Sequence, residues 1–321
     1  MENYGEQCNS NTAPPRPVQK SLLTDVAAFS PCNITGFFRI YDTSLDPLRI
    51  GSTGAAVALE LGVKTHVRLR KTRTTRIRAT FNGRPLSGWS VSHFVAEKYA
   101  QLNGKAFQID VAHTSQLPIG CGFGTSGAGA LSLSLALNET MGLSLDRFEA
   151  AQIAHVSEIA CKTGLGTVSS AFSGGLTLRT APGAPGVGSV RRVNLPRSFR
   201  VVGASFGPVS TRNVLRSKPI KDRVNRCARS LLNEFDLNHP RTSFMRVSRK
   251  FSDCLGLMSR RLERLSRRLD STGFESSMAM LGESLFGIDS DDESAKTATC
   301  IRREGLRPLV CPISRSGAHL V

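Results

Sequence analysis

The sequence predicts an α+β protein built in two parts, on three observations. Segments within 64–84 and 107–111 alternate apolar and polar residues with the period of two that a half-buried strand requires. A glycine-rich stretch at 118–130 runs directly into an Ala/Leu-rich segment of helical character. Apolar residues at Val247, Phe251, Leu255, Met258, Leu262, Leu265 and Leu269, spaced 4, 4, 3, 4, 3 and 4, mark one stripe of an amphipathic helix. At 321 residues the chain suits about two domains, and 40% hydrophobic residues are enough for a core.

In chain order, residues 1–22 are polar and proline-bearing and read as a loose tail. Val26–Phe29 reads as a strand, closed by Pro31 and a turn around Gly36. Gly51-Ser52-Thr53-Gly54 opens a small-residue stretch leading into Val57–Leu61. Residues 64–84 carry eight Lys/Arg and no acid, so the strand there has one wet, basic face opposite Val67 and Leu69. Phe107, Ile109 and Val111 form the next strand; Ala128–Leu137 and Leu145–Ile159 read as helices. Gly174-Gly175 and the Pro/Gly run at 181–186 then interrupt the pattern, placing a boundary near 190–198 and dividing the chain into domains 23–195 and 196–321. The second part begins with a strand, Phe199–Phe206, turned by Gly207-Pro208. After the amphipathic stripe, Asp289–Glu293 reads as an acidic turn, and alternation returns at Val310, Ile313 and 319–321.

No apolar run approaches the ~20 residues of a membrane helix. The N-terminus also lacks a basic head followed by an apolar stretch, which excludes an ordinary signal peptide and points to a cytoplasmic protein without a membrane partner. The net charge is +17, and only ten of the 42 basic residues are lysine. Such a surplus of guanidinium suits nucleic acid, anionic membrane or small anionic substrates. With one Trp and three Tyr, and no aromatics interleaved in the basic segments 64–84 and 246–268, base stacking is poorly served. A nucleic-acid binder is therefore the rival reading, and those arginines are expected to be a solvated face. The eight cysteines never form Cys-x-x-Cys and read as reduced thiols without a zinc site.

Five glycines fall within ten residues, Gly120, Gly122, Gly124, Gly127 and Gly129, between a strand and a helix. That arrangement binds phosphate: helix N-terminal N–H groups lack intrahelical partners, the helix dipole favours an anion, and missing Cβ atoms allow close approach. A Walker A loop fails for want of Gly-Lys-Ser/Thr, since no lysine lies between Lys105 and Lys162. Gly122-x-Gly124-x-x-Gly127 matches the dinucleotide pattern, but Asp146, at the right distance for the ribose acid, opens a helix. The protein-kinase loop lacks its downstream Val-Ala-Ile-Lys and His-Arg-Asp segments.

What remains is Pro118-x-x-x-Gly122-x-Gly124-x-Ser126-x-Ala128, which resembles the nucleotide loop of the GHMP kinases. Ser30–Phe38, Gly51–Ala55, Pro118–Ala130, Thr163–Thr167, Gly207–Arg212, Ser248–Phe251 and Ser277–Gly282 together resemble the archaeal pantoate kinases within that superfamily, in the same order from about residue 25 onward. The resemblance implies a GHMP kinase fold, with an N-terminal α/β domain like domain 2 of ribosomal protein S5 and a C-terminal ferredoxin-like α/β domain. It implies ATP-dependent phosphorylation of pantoate's primary hydroxyl to 4-phosphopantoate on the archaeal route to coenzyme A, in a homodimer. Another small hydroxy acid, homoserine or mevalonate, is the alternative acceptor.

By that resemblance, Pro118, Gly120, Gly122, Phe123, Gly124, Thr125, Ser126, Gly127 and Ala128 form the ATP loop. Ser126 and Glu158 approach Mg²⁺; the plain alternatives are a helix N-cap for Ser126 and a surface glutamate for Glu158. His155 reads as a packed histidine. Thr167 departs from the pattern, standing where many GHMP kinases have an aspartate beside the acceptor hydroxyl, and a threonine cannot act as a base near neutral pH. Either another carboxylate substitutes or the hydroxyl attacks without prior deprotonation. Arg212 and Arg249 are candidates for the substrate carboxylate, which a guanidinium grips with two parallel bonds; Ser52 and Thr53 are candidate donors to the substrate.

Overall fold

A computed structural model describes residues 24–86, 90–209 and 217–321. The expected tail at 1–22 and the candidate Arg212 lie outside the described residues. Two long strands, β1 (Thr24–Tyr41) and β2 (Gly51–Lys71), pair antiparallel from Thr24 opposite Leu69 to Tyr41 opposite Gly51. The first strand was expected to stop at Phe29. It continues because register shifts between Pro31 and Asn33, and between Thr35 and Phe37, absorb the proline and Gly36 as bulges, where a strand tolerates them. Gly36 serves packing rather than a turn: a Cβ there would collide with Ser248 Oγ and the Phe244 ring.

The first sheet is completed by β3 (Arg76–Phe81), β4 (Arg84–Pro85), β5 (Phe107–Thr114), β6 (Leu176–Ala181), β7 (Ser189–Val193) and β12 (His319–Leu320). Its order is β12-β1-β2-β5-β3-β4, with β6 also beside β2 and β7 beside β6. On β2, Val67 and Leu69 are buried while Arg68 and Arg70 are exposed, as the alternation requires. Four helices cover the apolar face: α1 (Val91–Asn103), α2 (Thr125–Met141), α3 (Arg147–Cys161) and α4 (Thr167–Ser173). There Val67, Ile109 and Val111 pack against Val95, Tyr99, Leu131 and Leu137.

The second sheet, in the order β11-β8-β10-β9, comprises β8 (Phe199–Gly207), β9 (Ser277–Met278), β10 (Glu283–Ser290) and β11 (Leu309–Pro312). With it pack α5 (Lys218–Cys227), α6 (Pro240–Leu255), α7 (Arg260–Asp270) and α8 (Asp291–Arg303). A continuous core joins the two halves, with Ile34, Phe37, Phe38 and Val57 meeting Phe244, Phe251 and Phe286.

The single helical stripe expected from 247 to 269 is two helices. Gly256 ends α6 in the left-handed region (φ 58°), and the Ser259 hydroxyl caps α7 by accepting from Leu262 N. The apolar spacing survives the break because both helices bury the same stripe, so periodicity alone could not locate it. The arginines of the second helix lie on its solvated face, as expected, where Arg261, Arg267 and Arg268 form surface ion pairs with Glu283, Glu263 and Glu304. The expected acidic turn is the end of β10 and the first turn of α8, where Asp291, Asp292 and Glu293 face the helix's positive end. The cysteines are not all thiols either. Cys227 and Cys254, 27 residues apart, form a disulfide that ties the end of α5 to the last turn of α6. No motif encodes that pair; packing of the two helices brings it together. Among the described residues no helix is long and apolar enough to cross a membrane.

Candidate active site

The loop between β5 and α2 folds as its glycines require. Gly120, Gly122 and Gly124 adopt φ of 78°, 80° and 69°, values that side chains disfavour. Gly124 caps α2 without a side-chain bond, leaving the first N–H groups of the helix free for an anion. Ser126 is one residue inside the helix, so its hydroxyl is not spent as the N-cap. The loop is gripped from both halves of the protein. Asn33 N donates to Phe123 O at 3.0 Å from β1, and Ser284 Oγ donates to Cys121 O at 2.7 Å from β10. Gly282 lies so close that a Cβ would strike the Cys121 backbone.

Beside the loop lies a cavity of about 270 Å³. Gly120, Gly122, Gly124, Thr125, Ser126 and Gly127 line it, together with Glu158, Gly164, Gly166 and Thr167. Pro118, Phe123 and Ala128 do not; Phe123 and Ala128 are core residues that shape the loop from behind. Ser52 lines the cavity and Thr53 does not, as adjacent strand residues face opposite sides. Arg249 lies elsewhere, its guanidinium held by Asp253, Asp270 and Ser276 O, so the structure does not bring it to the cavity.

Glu158, near the end of α3, is 2% exposed. Thr163 Oγ1 donates to its Oε1 at 2.8 Å, while Oε2 is buried without a well-formed hydrogen bond, the Ser126 and Thr167 hydroxyls lying near the carboxyl. Burial pushes this carboxyl above the ordinary glutamate range, and the hydroxyls of Thr163, Ser126 and Thr167 oppose that rise. Its position depends on two small neighbours. A Cβ on Gly127 would sit 2.7 Å from Oε2, and one on Gly164 would overlap it. Among the described residues lining the cavity, Glu158 is the sole carboxylate, so no other acid there takes the place of the aspartate missing at Thr167. His155 is packed, as expected, with Nε2 2.8 Å from Ile50 O.

Sequence reasoning missed Arg179, on β6. It is 2% exposed and lines the cavity. It donates to Ser52 O at 3.3 Å and Ser170 Oγ at 2.7 Å. Burial lowers its pKa to about 10, with no carboxylate among the described residues to compensate. Gly166 makes room for it, since a Cβ there would lie 2.7 Å from Arg179 Nε. The signal was present in the sequence: an arginine inside a short apolar strand directly after a Gly-Gly pair has few ways to reach water.

The GHMP kinases N terminal domain matches residues 89–175. The pantoate kinase of Thermococcus kodakarensis is 35% identical over 84% of this chain and 90% of its own length. That of Methanocaldococcus jannaschii is 30% identical over 89% and 99%. A solved phosphotransferase related to the CoA biosynthesis pathway superposes with a TM-score of 0.83 at 29% identity, covering 93% of this chain and 99% of that one.

Proposed function

The chain belongs to the pantoate kinase family of the GHMP kinases, and from that premise we propose how its cavity uses ATP to phosphorylate the primary hydroxyl of pantoate, giving 4-phosphopantoate for coenzyme A synthesis. The observation that carries the reading is Arg179: a buried cation with no ion-pair partner among the described residues, in the same cavity as the phosphate loop. A buried guanidinium held only by neutral acceptors is costly, and an anion beside it would offset that cost. A substrate carboxylate supplies that anion, gripped through two parallel hydrogen bonds, with Ser52 beside it. Of the two candidates for this role, Arg249 is held elsewhere and Arg212 lies outside the described residues, and Arg179 takes the role here.

The triphosphate rests on the loop glycines and the free N–H groups of α2, where little further reorganisation is needed. The residues present fit Mg²⁺: Glu158 Oε2 is an orphaned buried oxygen, and the Ser126 hydroxyl is not used as a cap. These two oxygens, with phosphate oxygens and water, would complete a hard-cation site. The metal supplies charge neutralisation at the transferring phosphoryl group. Thr167 stands beside Glu158 as a neutral hydroxyl. With no second acid among the described lining residues, the pantoate hydroxyl attacks a loose transition state without prior deprotonation, which phosphoryl transfer tolerates. The two-domain division at 195/196 and a cytoplasmic location remain part of this reading on the sequence pattern, and a homodimer follows from the resemblance; light scattering on the purified protein tests the last.

The deciding experiment is a coupled ADP-release assay over pantoate, pantothenate, homoserine and mevalonate. Turnover with pantoate at least about tenfold above the others in kcat/KM is expected. A preference for homoserine or mevalonate would overturn the acceptor assignment while leaving the kinase reading intact.

A further inference from the structure

The hairpin turn between β9 and β10 places a side chain where its backbone disfavours one. Ala279 to Gly282 close a four-residue turn, with Gly282 N donating to Ala279 O at 3.2 Å and Ala279 N donating to Ser284 O at 2.8 Å. The third residue of this turn, Leu281, has φ of 67°, the position where such turns take glycine or asparagine. A leucine there is strained, and strain of this kind persists where the surroundings over-determine it at a functional site. Glycine is used one residue later, where contact with the Cys121 backbone excludes any side chain.

The Leu281 side chain lies between two cavities. One is the reaction cavity; the other, of about 300 Å³, is enclosed mainly by apolar residues including Val224, Leu255, Leu262 and Met278. Phe38, Val209, Met280 and Leu281 belong to both and form the partition. The reaction cavity is lined both by polar residues, Glu158, Thr167, Ser52 and Arg179, and by apolar ones, this partition among them. A linear hydroxy acid held by its carboxylate and its terminal hydroxyl has no use for the apolar lining. Pantoate does, because the carbon next to its hydroxymethyl group bears two methyl groups.

Resting on the functional reading above, we propose that Leu281 is kept in its strained conformation to complete, with Phe38 and Met280, an apolar wall against the two methyl groups, and that it selects a branched over an unbranched hydroxy acid. A wall against the methyl groups touches neither the reacting hydroxyl nor the anchored carboxylate, so it would govern substrate affinity more than chemistry.

The test uses Leu281→Gly, which removes the wall while suiting the backbone; relief at the positive φ partly offsets the packing it gives up, so the variant is expected to fold with a cooperative unfolding transition. Pantoate and 2,4-dihydroxybutanoate, the same chain without the methyls, are compared with ATP in the full-length enzyme. The wild type is expected to favour pantoate by roughly tenfold or more in kcat/KM, the discrimination two buried methyl groups provide. Leu281→Gly is expected to bring that ratio to within about threefold of one, through a raised KM for pantoate with kcat and the KM for ATP kept. Leu281→Met is expected to restore most of the selectivity. A folded Leu281→Gly enzyme with undiminished selectivity would overturn the inference and leave the kinase assignment standing. Absence of pantoate turnover in the wild type would remove the functional reading, and this inference with it.

Discussion

Arg179→Met separates the cost of a buried charge from its use. Burial holds the guanidinium at a pKa of about 10, against roughly 12.5 for a solvated one. At ~1.36 kcal/mol per pH unit, the charged side chain costs the fold about 3 kcal/mol at neutral pH. Because the folded pKa is the lower one, that cost is complete at any pH below about 10 and declines as pH rises from there. Methionine removes it. Methionine also forfeits the hydrogen bonds to Ser52 O and Ser170 Oγ, together about 2–3 kcal/mol. The two effects nearly cancel, so the ligand-free protein should keep its stability to within about 1 kcal/mol. Binding has no such compensation. Truncating one member of a buried charge pair costs about 2–5 kcal/mol, or roughly 30-fold to several thousand-fold in the KM for pantoate, with the KM for ATP unchanged. Steady-state kinetics and chemical unfolding of both proteins measure the two quantities. A pantoate KM raised less than about threefold, or a loss of stability above about 3 kcal/mol, would show that Arg179 is a structural cation and refute the carboxylate assignment.

Three further outcomes are expected. Glu158→Gln should lower kcat on the order of 10²-fold, measured at saturating Mg²⁺. Burial raises the folded pKa of Glu158, so its stabilising contribution is complete below about pH 4 and is lost as pH rises through the folded value. Unfolding midpoints without metal should therefore converge for wild type and Gln variant at acid pH, with the variant the more stable toward pH 7. Thr167→Val should lower kcat less than tenfold, whereas loss of a true general base would cost about 10²–10⁴-fold; pre-steady-state phosphoryl transfer distinguishes these. Cys254→Ser opens a loop of 27 residues and should lower unfolding stability by about 3–4 kcal/mol, and dithiothreitol should do the same to the wild type but not to the variant.

The parts of the site that could be read from the sequence are those whose chemistry is written locally. The glycine loop needs residues without Cβ at fixed positions, and Gly120, Gly122 and Gly124 take the positive φ that this implies. Glu158 came from the resemblance to the GHMP kinases; its burial beside Gly127 and Gly164, rather than on the helix surface, could not be read from the sequence. Arg179 was not, because its meaning comes from burial by Gly166, Ser52 and Ser170, which only the paired strands bring together. Arg249 misled for the complementary reason: its charge was visible, but its partners Asp253 and Asp270 were not. In the fold, Pro31 and Gly36 looked like breaks because bulge geometry depends on the neighbouring strand. The break at Gly256 was hidden because both helices bury one apolar stripe.

The grip on the nucleotide loop limits how the enzyme can breathe. Asn33 holds it from the first sheet and Ser284 from the second, with Gly282 pressed against Cys121. A clam-like parting of the two halves would tear the loop from one of its anchors, so exchange of ADP for ATP has to proceed through short-range rearrangement around a rigid cradle. Damage that melts the C-terminal sheet, which carries Ser284, should accordingly show itself first as weakened nucleotide affinity.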